Sequence, residues 1–218
     1  MRSTTCTSSA TCYVSFATIG SAPNRQFVVT WKNVPEWVTW GPVTTGVHVV
    51  LRPMATPLPL GFLALAGGTF TVAGLQLGWV DAGDSAAVGL ILMAFVVPLQ
   101  LIASVLGFLA RDPATGTGMA VLAGTWGSLG LVTLRAAPGA TSDALGLLLV
   151  VSATAMAMCC AVAAPVKLVP AAVLGTTTVR FAVTAVYELT GNGGWKDTAG
   201  WVGVLLAAVA GYAALALL

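Results

Sequence analysis

Thr56-Pro57-Leu58-Pro59-Leu60-Gly61 opens an apolar run that continues through Phe62-Leu63-Ala64-Leu65 to Val80 without a charge. Each proline fixes its own φ and restricts the residue before it, so the pair predicts a stiff, extended approach to the run. The run itself is long enough, as a helix, to cross most of a hydrocarbon core of about 30 Å.

Hydrophobic residues make up 57% of the 218 and charged residues 7%. Such a chain cannot cover a water-facing surface, which excludes an ordinary soluble domain and makes lipid its solvent. The net charge of +2 is small and no Lys/Arg cluster occurs, so a nucleic-acid partner is not expected. Five more apolar segments come after the first. Apolar runs and their punctuation predict helices at about 58–80, 85–109, 116–134, 143–163, 168–190 and 199–218. Backbone polar groups cannot stay unpaired in hydrocarbon, so helices are favoured over any open sheet. The expected fold class is an all-α integral membrane protein, a bundle of six transmembrane helices.

Residues 1–53 differ in kind, being rich in Ser, Thr and Val, basic at Arg2, Arg25, Lys32 and Arg52, and without a long apolar run. No signal-peptide core succeeds Arg2. Trp31, Trp37, Trp40 and His48 allow an interface-lying segment. The plainer expectation is a poorly structured extension, or a natural start at Met54, with the six-helix transmembrane domain spanning 54–218. The Lys/Arg bias sets Arg52, Arg111 and Lys167 on one side against Arg135 and Lys196, which stand among aspartates. The positive-inside rule then predicts both termini in the cytoplasm.

Within the spans, Arg180 stands out. It lies near the middle of the fifth segment, where an Arg costs at least ~2.5–3.5 kcal/mol and must face protein or water. Two roles fit it: binding an anion through its planar fork, or pairing with carbonyls or a carboxylate of a neighbouring helix. Glu188, eight residues on, is about 12 Å away along the helix and too far to pair directly. Gln100 comes just after Pro98, whose ring frees a backbone carbonyl. Thr125 and Ser128 flank Trp126 in a Gly-rich segment, and Gln76 sits near the end of the first helix within reach of the interface. For these polar groups, interhelical hydrogen bonding competes with contact to a cargo. Gly74-x-x-x-Gly78, Ala103-x-x-x-Gly107 and Gly203-x-x-x-Ala207-x-x-x-Gly211 predict close helix packing, within the bundle or between copies. Cys159 and Cys160 lie in an apolar helix and read as packing residues. No phosphate-binding loop, paired catalytic carboxylates, Ser-His-Asp set or metal spacing occurs, so neither an enzyme nor a metal or cofactor is expected.

The opening stretch resembles the Asn-Pro-Ala-Pro-Leu-Gly signature of the acetate uptake transporter family (Gpr1/Fun34/YaaH), with Thr56 in place of Asn and Leu58 in place of Ala. Phe95-Val96-Val97-Pro98-Leu99-Gln100 is similar to its Tyr-Gly-Gly-x-x-Gln, and Thr125-Trp126-Gly127-Ser128 to its Ser-Tyr-Gly-Ser/Ala. Thr190-Gly191-Asn192, Ala199-Gly200-Trp201-Val202-Gly203 and Tyr212-Ala213 then come in the family's order. The resemblance covers residues 54–218. It implies a passive or proton-linked route for acetate and similar short monocarboxylates in the cell (inner) membrane, assembled as a homo-hexamer with one pore per subunit. The family's signature lies at the pore mouth, which maps to Thr56, Pro57, Pro59 and Gly61. Its constriction maps to Leu65, with Phe70 as a neighbour, and to Trp126. On that frame Gln100, Thr125, Ser128 and Arg180 are the polar pore residues, although Arg180 has no counterpart in the family pattern. A pore for ammonium, urea or a longer organic acid is the rival reading, and a non-transporting membrane scaffold or sensor is another.

Overall fold

A computed structural model describes residues 13–19, 26–32, 48–51 and 55–218. The chain divides into two units, Met1–Ala55 and Thr56–Leu218. The first contains three strands, β1 Tyr13–Ile19, β2 Gln26–Lys32 and β3 His48–Leu51, in one antiparallel sheet of order β1-β2-β3. Tyr13 stands opposite Lys32, and Phe27 opposite Leu51. These three strands fall within residues 1–53, where the sequence leads to the expectation of a poorly structured extension. Each is too short to span a membrane and rich in Val, Thr and aromatic residues, which fit a pleated surface. Trp37, Trp40 and the question of a start at Met54 fall outside the described residues.

The second unit is helical. Its elements are α1 Leu58–Gln76, α2 Ser85–Ile91, α3 Val97–Leu109, α4 Pro113–Arg135, α5 Asp143–Ala163, α6 Leu168–Thr190 and α7 Gly193–Leu217. A π-helical segment, Leu92–Val96, joins α2 to α3 into one span, which gives, among the described residues, six helices long and apolar enough to cross a membrane. The π segment runs up to Pro98, whose nitrogen has no hydrogen to give the ladder, so the backbone shifts register there.

The local rules place most boundaries and correct three of them. Pro57 is the N-cap of α1 in a helical conformation and Pro59 falls in its first turn. The stiff approach is therefore helical rather than extended, as the first turn needs no backbone donors. α1 stops at Gln76, short of Val80, because Gly78 takes a positive φ of 73° and turns the chain so that Trp79 and Val80 donate back to the Gly74 carbonyl. Asp112 caps α4 by accepting from Thr115 N at 3.1 Å, which starts that helix at Pro113. Asn192 caps α7 in the same way through Gly194 N at 2.8 Å, so the expected loop to Thr198 is already helix.

The buried core gathers residues from all six spans, including Phe62, Leu65, Leu92, Leu122, Trp126, Leu149, Phe181 and Leu206. The outward faces stay apolar, with Leu63, Phe70, Ile102, Val151, Val162 and Leu205 among the exposed residues. A soluble protein buries such surface, whereas a lipid-facing one displays it. Phe70, Trp79 and Trp201 form a chain of tilted and edge-on rings at 6.0 and 6.1 Å where α1 ends and α7 begins. Tryptophans at that level match an interfacial aromatic belt.

Candidate functional site

Three helices, α1, α4 and α6, line two cavities in the same direction, and the antiparallel α5 meets both in reverse, with Val162 and Ala163 at the first and Leu145 at the second. At their N-terminal ends the three line a cavity of about 210 Å³, bounded by Leu58 and Phe62, Thr115 and Met119, and Pro170 and Leu174. At their C-terminal ends they line a second cavity, of about 90 Å³, bounded by Val72 and Gln76, Leu129 and Val132, and Thr184 and Glu188. Between the last residue of the first cavity and the first residue of the second, each helix advances ten residues: Phe62 to Val72, Met119 to Leu129, and Leu174 to Thr184. By helical rise, both cavities are thus separated by the same closed layer of about 15 Å.

That layer is close-packed. Leu65, Thr69, Leu122, Trp126, Thr177 and Phe181 are each at most 2% exposed. Trp126 meets Phe181 edge to face at 6.0 Å. Thr69 donates to the Gly203 carbonyl at 3.4 Å, and Thr177 to that of Val173 at 2.7 Å, so neither hydroxyl is stranded. Beside Trp126, Thr125 is bonded to the Val121 carbonyl at 2.8 Å and to Ser152 of α5 at 2.7 Å.

Gln100 enters the same layer from α3. A β-carbon at Gly61 would stand 3.3 Å from Ala103 Cβ, and one at Gly68 would stand 2.7 Å from Val96 Cγ2. Gln100 lies between Val96 and Ala103 on that face, which sets it at the level of Leu65. It is fully buried, and among the described residues neither Oε1 nor Nε2 has a hydrogen-bond partner; Trp126 Nε1 is likewise unpartnered there. Buried polar atoms are nearly always paired, so three orphans at one depth mark a place where something polar belongs.

Arg180 leaves the layer towards the second cavity. Its Nη1 donates to the Ala199 carbonyl of α7 at 2.5 Å and to Thr184 Oγ1 at 3.0 Å, and its Nη2 donates to Gln76 Oε1 of α1 at 2.6 Å. Gly203 makes room for it, since a β-carbon there would lie 3.1 Å from Arg180 Nε. Among the described residues no carboxylate pairs with this guanidinium; the one ion pair joins Lys167 to Asp112. Gln76, expected to reach the interface, is instead buried against Arg180. Glu188 accepts from Ser142 N at 2.8 Å.

The first cavity has its own charged rim in that Lys167–Asp112 pair. Burial pushes the Asp112 carboxyl up, but the Lys167 ammonium and the Thr115 donors outweigh it and hold the group below the usual carboxylate range. Pro57, Pro59 and Gly61 are buried at the start of α1, while Thr56 is exposed and accepts from Leu58 N at 3.4 Å. Ser128 is half-buried. Phe70 is 52% exposed on the outer face against Trp79, which corrects its expected place beside the constriction. Phe181 was missed in the sequence, yet it had a signal: Thr177, Phe181, Thr184 and Glu188 recur at helical spacing on one face of α6.

A solved structure, that of the bacterial acetate channel SatP, matches the chain with a TM-score of 0.64, covering 74% of this chain and 91% of that one. At 24% identity the likeness is one of fold. No curated protein sequence matches the chain. The sequence profile of the GPR1/FUN34/yaaH family matches residues 41–218, which takes in all six spans, both cavities and the layer between them. The chain belongs to the GPR1/FUN34/yaaH family.

Proposed function

We propose that this protein is a cell-membrane channel or transporter for acetate and similar short monocarboxylates, and that the route runs along α1, α4 and α6. The observation that carries the reading is the pair of cavities at opposite ends of the same three helices, closed by one buried layer. Family membership and the fold shared with an acetate channel support it. The solute meets the first turn of α1 (Thr56, Pro57, Pro59 and Gly61) at one mouth and the Arg180–Gln76–Thr184 cluster at the other. Leu65, Trp126 and Phe181 form the neck, where a narrow apolar constriction blocks bulk ions by dewetting. Arg180, a cation without a carboxylate partner among the described residues, attracts an anion into the second cavity.

Both termini lie in the cytoplasm on the Lys/Arg bias, which puts the second cavity on the outer side. Subunits assemble as a homo-hexamer with one route each, the outward apolar faces meeting lipid and one another. Uptake of labelled acetate by proteoliposomes, compared with protein-free vesicles, tests the reading. Acetate uptake above the protein-free rate, inhibited by propionate and not by urea or ammonium, is the expected result. Uptake of urea or ammonium instead identifies a different pore, and no flux of any small solute identifies a scaffold or sensor.

A further inference from the structure

We propose that Gln100 and Trp126 form a hydrogen-bonding station that accepts the undissociated carboxylic acid, so that the solute crosses the neck as a neutral molecule carrying its own proton. The inference rests on the proposed transport of short monocarboxylates and adds the chemical form that passes.

The two side chains come from facing helices. A β-carbon at Gly127 of α4 would lie 3.6 Å from Val97 Cγ2 of α3, and one at Gly107 would lie 2.9 Å from Gly116 N, so the two helices run antiparallel in a fixed register. That register sets Trp126 level with Val97 and Pro98, less than one helical turn of about 5.4 Å from the level of Gln100. Leu65 of α1 lies at the same depth, with Phe181 of α6 against the indole.

The chemistry of the three orphaned atoms chooses between two forms of the solute. Gln100 Nε2 and Trp126 Nε1 carry hydrogens to give, whereas Gln100 Oε1 can only receive. A carboxylate has no hydrogen, so it would satisfy both donors and leave Oε1 buried and facing negative charge. A carboxylic acid accepts at its carbonyl oxygen and donates from its hydroxyl to Oε1, which pairs every orphan. The surroundings favour the same choice, because an ion among these buried, mostly apolar side chains gives up most of its solvation and a neutral acid does not.

No charged protein group at this depth argues otherwise. Among the described residues α1 and α3 have no titratable side chain, and α4 has only Arg135, nine residues beyond Trp126. On α5 the candidates are Asp143 at the far end and the thiols Cys159 and Cys160. On α6, Tyr187 and Glu188 lie at the second cavity, and the Arg180 guanidinium is turned to Gln76, Thr184 and Ala199. The group that titrates is the solute itself. Arg180 gathers the anion in the second cavity, the anion takes a proton from hydronium of the adjoining aqueous phase and releases water, and the neutral acid moves on.

The experiment pairs labelled-acetate flux in proteoliposomes with voltage-clamped current in planar bilayers, both corrected for protein-free membranes, across a pH series. Flux that falls about tenfold per pH unit above the acid's pKa, with no acetate-dependent current, is the expected result. Gln100→Leu lowers flux at least tenfold, and Trp126→Phe lowers it several-fold. Gln100→Glu keeps a donor and an acceptor while protonated, so it retains flux at acidic pH and loses it more steeply than wild type towards neutrality; that pattern also shows that the variant folds. A current reversing at the acetate equilibrium potential, or flux independent of pH, overturns the neutral-acid station while the transport reading stands. Wild-type flux in both Gln100→Leu and Trp126→Phe overturns it as well. Absence of protein-dependent acetate flux at every pH overturns the transport reading and this inference with it.

Discussion

Replacing Arg180 with methionine separates what the guanidinium does for the fold from what it does for the solute. The side chain gives three hydrogen bonds, to Ala199, Thr184 and Gln76. At about 1.5–3 kcal/mol for each bond to a charged group, their loss is substantial. The substitution also removes a buried charge whose effective desolvation costs several kcal/mol, so the two effects nearly cancel and stability changes by no more than about 2 kcal/mol. The effect on an anion does not cancel. Gln76 and Thr184 line the second cavity and touch the guanidinium directly. A carboxylate bonded to either side chain is therefore two hydrogen-bond lengths, about 6 Å, from the charge. With an effective dielectric of about 20, the attraction is about 3 kcal/mol. A difference of that size is about a hundredfold in occupancy. Arg180→Met therefore raises the half-saturating acetate concentration about 30- to 100-fold in proteoliposome uptake from the side of the second cavity. Its thermal unfolding in detergent stays close to wild type, and Arg180→Lys recovers most of the affinity. A half-saturation unchanged within twofold in a folded Arg180→Met protein refutes the assignment of Arg180 to anion attraction.

Trp126→Ala removes the largest side chain of the closed layer and destabilises by about 3–5 kcal/mol. In the protein that still folds it admits acids longer than propionate, which a competition series against labelled acetate measures. Gly203→Val forces Arg180 and Ala73 aside, since a β-carbon already meets them at 3.1 and 3.0 Å. It costs about 1–3 kcal/mol in detergent unfolding, whereas Gly211→Val, in open space, is close to neutral. The Asp112 carboxyl titrates below its unfolded value, so its stabilisation is present above the ordinary carboxylate pKa and is lost as pH falls through the folded one. Because Lys167 is 44% exposed, that contribution stays within about 1 kcal/mol. Asp112→Asn, which still caps α4, then differs by less than about 1 kcal/mol from wild type at pH 7 and converges on it only near about pH 2, below the folded carboxyl's titration, while Asp112→Ala adds the loss of the cap.

The six spans were legible because hydrophobic length and the ban on unpaired backbone in lipid act locally, along each segment taken alone. The caps at Asp112 and Asn192 went unread, because apolar runs alone set the expected starts at 116 and 199, and the caps begin α4 and α7 earlier. The doorway at Thr56–Gly61 announced the first helix, yet its two prolines turned out to lie in the helical first turn. A proline stiffens an extended chain and a first turn alike, and only the packing of Gly61 against Met119 and Ala103 distinguishes the two. The small strands of the first unit escaped notice because pairing between distant short segments leaves little mark within any one of them.

The site divides along the same line. Residue type alone marked Arg180 and Gln100, since a charge or an amide within an apolar span has a cost that must be met somewhere, whereas Trp126 was marked by the family resemblance. Which partners meet it is a matter of rotation and register between helices, and hydropathy carries neither. The tertiary structure turned Phe70 out towards lipid and brought Phe181 in against Trp126. It gave Arg180 its acceptors on α1, α6 and α7, and it left Gln100 with none among the described residues. The sequence by itself determined that this chain lives in a membrane as six helices and where its expensive groups lie. The tertiary structure alone decided that three of those helices frame two cavities and a closed neck, because that depends on which faces meet.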